Sequence, residues 1–121
     1  MIARERITAL FRTIDSMDAD AFAAFLTDDV LFQFGNWPAV AGRRAARDAV
    51  AQFYGSIAAL SHEIVGIWQQ DDVVSCRLSV TYTRRDARQV TVPAADILQF
   101  RGDRICDYRI YIDITPLYAP G

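Results

Sequence analysis

The sequence predicts an α+β domain, with helices first and an antiparallel meander after them. Three observations predict it. Apolar residues recur at helical period through the first half, the period changes to two from Ser61 onward, and turn-forming pairs separate the period-two runs.

The first helix spans about residues 2–15, with Ile2, Ile7, Leu10, Phe11 and Ile14 close to helical spacing. Asp18 is placed to cap a short second helix holding Phe22, Phe25 and Leu26. Asp28-Asp29 reads as a turn into a strand from Val30 to Phe34. Gly35 to Gly42 reads as a loop, and a third helix follows from about Arg43 to Ile57, with Ala46, Val50, Phe53 and Tyr54 on one face. Four strands are expected at about 61–69, 72–84, 89–101 and 104–114. Their turns fall at Gln70-Asp71, Asp86-Ala87 and Gly102-Asp103.

At 121 residues the chain is one domain, 1–121, with enough core to fold alone. Its 52% hydrophobic and 23% charged residues are ordinary for a soluble globular protein. A net charge of -2 and the lack of any long Lys/Arg run give nucleic-acid binding no electrostatic support. No apolar run approaches the roughly 20 residues a membrane span needs. The start, Met1-Ile2-Ala3-Arg4-Glu5-Arg6, reads as charged helix rather than a signal peptide, so the expected location is the cytoplasm, where Cys76 and Cys106 stay reduced. Neither cysteine makes a metal-binding spacing with His62, the single histidine; no metal and no cofactor are expected.

Asp96 is the most informative residue. Val90, Val92, Ala94, Leu98 and Phe100 share its face of the third strand, so one carboxylate sits in an otherwise apolar row. Burying it unpaired costs several kcal/mol or raises its pKa until it neutralises. With Asp86-Ala87 as a two-residue or four-residue turn, Arg77 lies opposite Asp96, and an ion pair inside the sheet is expected. Ser75, Ser79 and Thr81 would share that face. In the last strand Cys106, Tyr108, Ile110, Ile112 and Ile114 form the inward set, given an odd-length loop near Gly102. Tyr108 would then lie beside Asp96 and donate to its carboxylate. The other face of the central hairpin would carry Val74, Cys76, Leu78, Val80, Tyr82, Ala95 and Ile97. A sheet apolar on both faces needs cover on both, and the helices cover one; a homodimer through the outer sheet face is expected.

Three segments carry a family resemblance: "LFRTIDSMDADAFAAFLTDDVLFQF", "GNWPAVAGRRAARDAVAQFY" and "ADILQFRGDRICDYRIYIDITPLY". Together they resemble the nuclear transport factor two-like fold, and more narrowly the SnoaL-like group, which includes polyketide cyclases, ketosteroid isomerase and limonene epoxide hydrolase. The resemblance covers nearly the whole chain. It implies a curved, mostly antiparallel sheet that forms a cone-shaped pocket under three helices.

Asp96-Ile97-Leu98-Gln99-Phe100 matches the isomerase strand that supplies a protonated aspartic acid to the oxyanion hole. The isomerase base would fall at about Phe34 and its tyrosine near Phe11, so both polar partners are missing. The epoxide hydrolase Tyr and Asn look like Phe32 and Phe34, and its last-strand aspartate, like the cyclase one, looks like Ile110. Arg77 matches that family's arginine, with Ser79 where an aspartate belongs.

The resemblance therefore implies either of two functions. One is a cofactor-independent isomerase, cyclase or hydrolase acting on a small apolar, cyclic substrate, with Asp96, Arg77, Tyr108 and His62 as the catalytic candidates. Among them His62 is a candidate general base, because its ordinary pKa suits proton transfer. The other is a non-catalytic apolar-ligand or dimeric interaction domain that has lost the base. In both, Phe11, Phe32, Phe34, Asn36, Trp37, Tyr54, Leu98 and Ile110 are the candidate ligand contacts.

Overall fold

The apolar stripe of the first helix, α1 (Arg4–Asp15), buries Ile7, Leu10 and Phe11 against the sheet in the computed structural model, which describes residues 2–120. Arg6 lies over the Phe25 ring at 4.1 Å and donates to the Asp103 carbonyl, fixing the helix to the far end of the chain. Asp18 caps α2 (Ala19–Ala23), its carboxylate accepting from the Ala21 N–H at 3.0 Å.

The first strand, β1 (Leu26–Phe34), starts four residues before the expected position. Asp28-Asp29 is not a turn but an irregular stretch of strand. Its charges are exposed and matched: Asp29 accepts from Thr27 and Arg101, and Asp28 pairs with Arg43. A two-residue strand, β2 (Val40–Ala41), lies within the expected loop and pairs with Leu31 and Phe32. The third helix, α3 (Arg43–Tyr54), ends three residues early, at Gly55.

Four long strands follow: β3 (Ala59–Gln70), β4 (Val73–Thr83), β5 (Gln89–Arg101) and β6 (Arg104–Ile112), with a closing 3-10 turn at Thr115–Tyr118. The six-stranded sheet runs β2-β1-β6-β5-β4-β3, and all neighbours are antiparallel except β1 and β6. No helix among the described residues is long and apolar enough to cross a membrane.

The hairpin register corrects the expected ion pair. The loop between β4 and β5 has three central residues, closed by Arg84 N–H to the Arg88 carbonyl, with Ala87 left-handed at φ 72. An odd loop shifts the pairing by one, so Arg77 faces Ala95 and Cys76 faces Asp96. A one-residue slip turns every side chain over. Val74, Cys76, Leu78, Val80 and Tyr82 therefore join Val92, Ala94, Asp96 and Leu98 in the core, while Arg77 is exposed on the outer face with Ser75, Ser79 and Thr81 nearby. The outer face of the central hairpin is thus polar, and its expected apolar character does not hold.

The last turn is corrected too. Gly102-Asp103 is a two-residue loop, and parity is restored by a bulge: Phe100 faces Ile105, whereas Gln99 faces Asp107. Ile105, not Cys106, takes the inward place; Tyr108 stays fully buried as expected.

Candidate functional site

The inward faces of β1, β3, β4, β5 and β6 close with α3 over a cavity of about 60 Å³. Its wall is largely aromatic. Phe22, Phe32 and Tyr108 pack edge to face with centroids 5.5 to 6.0 Å apart, and Phe34 lies between Trp37 at 5.2 Å and Phe53 at 4.8 Å. Trp37 is 42% exposed, which places it at the mouth.

Asp96 is the fully buried carboxylate of this wall. It faces Ile110 in the register while Tyr108 faces Leu98, so the phenol reaches it diagonally, donating to Oδ2 at 3.1 Å. Oδ1 has no hydrogen-bond partner among the described residues. Burial pushes the Asp96 pKa up to about 7, against the opposing pull of the His62 charge and the Tyr108 hydrogen bond. The same burial raises Tyr108 and Tyr82 well above the ordinary tyrosine range and pushes the Cys76 thiol up to about 12.

His62 enters from β3. Asp15, the last residue of α1, accepts from its backbone N–H at 2.9 Å and lies 2.6 Å from its ring Nδ1. Phe11 packs on the imidazole at 5.1 Å. The ring lines the same cavity as Asp96.

Of the candidates drawn from the sequence, the structure brings Asp96, Tyr108, His62, Phe32, Phe34, Trp37, Tyr54 and Ile110 to one cavity. Tyr54 gives its hydroxyl to the Ile14 carbonyl at 3.1 Å. Four candidates lie elsewhere. Arg77 is on the outer face because of the odd loop; Phe11 and Leu98 are buried in the core, Phe11 reaching the site only through His62; Asn36 is exposed on its loop. Sequence reasoning missed Asp15, which belongs to a helix end 47 positions from His62 and carries no local motif. It also missed Tyr82 as a wall residue, since the wrong register sent it outward. Among the described residues no group of three or more His, Cys, Asp or Glu side chains is placed to hold a metal ion.

A family model described as a SnoaL-like domain matches residues 7–108. No curated protein matches the chain. Among solved structures, a protein with a ketosteroid isomerase-like fold from Catenulispora acidiphila, in complex with trimethylamine, is 18% identical with a TM-score of 0.82 over 90% of this chain and 85% of that one. An epoxide hydrolase from M. tuberculosis of the LEH-like type is 17% identical, with a TM-score of 0.78 over 91% and 81%. The epoxide hydrolase/cyclase-like enzyme SalBIII, with a role in pyran ring formation in the polyether salinomycin, is 18% identical, with a TM-score of 0.80 over 93% and 91%. At these identities the likeness is one of fold.

Proposed function

The chain belongs to the SnoaL-like domain family, and from that premise we propose that it is a cofactor-independent enzyme acting on a small, mostly apolar molecule through Asp96. The observation that carries this reading is the unpartnered Oδ1 of a buried carboxyl in the wall of an aromatic cavity. Tyr108 occupies Oδ2, so a proton on the carboxyl resides on Oδ1. There it can be donated to a carbonyl, hydroxyl or epoxide oxygen of a ligand. Isomerisation, cyclisation and hydration all use such a donor. The small cavity favours ligands of a few heavy atoms over steroid-sized ones.

The test is a thermal-shift screen of small cyclic ketones, epoxides and phenols against wild type and Asp96→Asn, followed by turnover assays on the hits. A ligand that stabilises wild type much more than Asp96→Asn supports the reading. Ligands that stabilise both equally overturn it.

A second, non-catalytic reading has its own support. A carboxylate among aromatic faces also suits a small ammonium ion, and the Catenulispora protein was crystallised with trimethylamine. The two readings predict opposite pH dependence. A neutral oxygen ligand needs protonated Asp96 and binds more tightly below about pH 7; an ammonium needs the ionised form and binds more tightly above it.

We propose further that a homodimer forms through the outer sheet face. Trp68 and Tyr111 are 59% and 60% exposed there, and Gly66 leaves room for the indole to lie flat across the strand. The proposed setting is the cytoplasm, where Cys76 and Cys106 stay free thiols.

A further inference from the structure

We propose that His62, oriented by Asp15, is the base that completes this site, and that the substrate is a small carbonyl compound with a removable proton on the carbon next to the carbonyl. The proposal rests on the reading of Asp96 as proton donor.

An ionised carboxylate only accepts hydrogen bonds. With Asp15 Oδ1 at 2.6 Å, Nδ1 of the neutral imidazole must carry the proton. Nε2 then holds the lone pair, and no described residue takes it. Asp15 also holds the His62 backbone, and Phe11 covers one ring face, so the imidazole cannot turn over without losing its strongest partner. His62 and its carboxylate are 9% and 25% exposed, which makes the pair less screened than a surface ion pair. The result is a positioned base that lines the same cavity as the proton donor.

The reaction is balanced without a cofactor. Nε2 takes the proton from the carbon next to the carbonyl. The C–H electron pair forms a C=C bond, the C=O π pair moves to oxygen, and Asp96 Oδ1 donates to that oxygen. His62 then returns the proton to the same carbon, or to the far end of a conjugated system, which moves a double bond; the C=O bond re-forms and Asp96 Oδ1 takes its proton back. Asp15 is a positioning residue: it sets the tautomer and faces the imidazolium while the proton is held.

Rate is expected to fall as pH rises through about 7 and Asp96 loses its proton. Among the described residues the other titratable groups that line the cavity are Tyr54 on α3, Tyr82 on β4 and Tyr108 on β6, and Cys76 on β4 faces Asp96 in the register. Burial raises all of them, so they stay neutral through this range.

The test follows exchange of cyclopentanone α-protons in D2O by NMR for wild type, His62→Gln, Asp15→Asn and Asp96→Asn. In Asp15→Asn the amide oxygen can still accept from the His62 backbone N–H, but the amide nitrogen would donate to Nδ1 and move the ring proton to Nε2. Exchange by wild type, reduced by about 10²-fold or more in His62→Gln and Asp15→Asn, supports the proposal. Because the chain has a single histidine, the 15N ring signals of tag-free protein report the tautomer directly: Nδ1–H in wild type and Nε2–H in Asp15→Asn are expected. Wild type showing Nε2–H overturns the proposal even if a variant fails to fold. So does exchange unaffected by Asp15→Asn. Ketone binding that depends on Asp96 but gives no exchange overturns the base and leaves the Asp96 reading standing; the absence of Asp96-dependent binding overturns both.

Discussion

Asp96→Asn is expected to change how stability depends on pH more than it changes stability itself. In the unfolded chain the carboxyl ionises near 3.8, and in the fold near 7. Between those values the folded state keeps a proton that the unfolded state has released, so stability falls as pH rises through the window and levels off above about 7. At about 1.4 kcal/mol per pH unit the full window is on the order of 4 kcal/mol, and the part between about pH 5.5 and 7 is about 2 kcal/mol. Asparagine has the same shape and no ionisation. Its carbonyl can accept from Tyr108, and its amide occupies the place of the unpartnered Oδ1. Urea unfolding of both proteins at about pH 5.5 and 8.5 separates the effect, because surface groups common to both largely cancel in the difference. The variant should gain about 2 kcal/mol on wild type from the lower pH to the higher. A difference constant to within about 0.5 kcal/mol would refute the reasoning. A loss of about 3–5 kcal/mol at both pH values would also refute it, since that is the mark of a broken buried ion pair.

Tyr108→Phe removes the hydrogen bond that opposes the rise in the Asp96 pKa; the pH midpoint of the Asp96 transition, followed by carboxyl 13C NMR, should move further up. Ala87→Gly relieves a left-handed alanine in the β4–β5 loop and should stabilise the protein by about 0.5–1 kcal/mol in urea melts. Sedimentation at micromolar concentration should give twice the 13.6 kDa of the chain, and Trp68→Glu should return it to monomer. A wild type that sediments only as monomer removes the dimer.

Much of this architecture was legible because local chemistry agreed with global structure. The period of α1, the Asp18 cap and the alternation of the four long strands are local facts, and the strands lie within two residues of their expected bounds. Tyr108 beside Asp96 was legible for a similar reason, as both fall in apolar rows facing one core. What was not legible depended on counting. The β4–β5 loop hides its odd length because Ala87 occupies a conformation usually marked by Gly or Asn, and that one residue moved Arg77 from partner of Asp96 to the solvent face. The bulge at Cys106 is equally silent. Asp15 and His62 meet only because α1 packs across β3, a tertiary fact with no trace in either segment.

The parallel pairing of β1 with β6 sets an order on folding. Gln33 and Arg109 are hydrogen-bonded neighbours 76 positions apart, whereas β3, β4 and β5 join through tight hairpins. Local hairpins close quickly and distant strands late. A chain leaving the ribosome can zip β3 to β5 while β1 waits with one edge unpaired, and only the arrival of β6 fills the gap. Until then β1 and β5 both present free edges, the surfaces on which a half-made sheet pairs with the wrong neighbour. The wall made by Phe32, Phe34, Tyr108 and Ile110 is therefore the last part of the cavity to form. Removal of β6 would leave an aggregation-prone sheet rather than a smaller pocket.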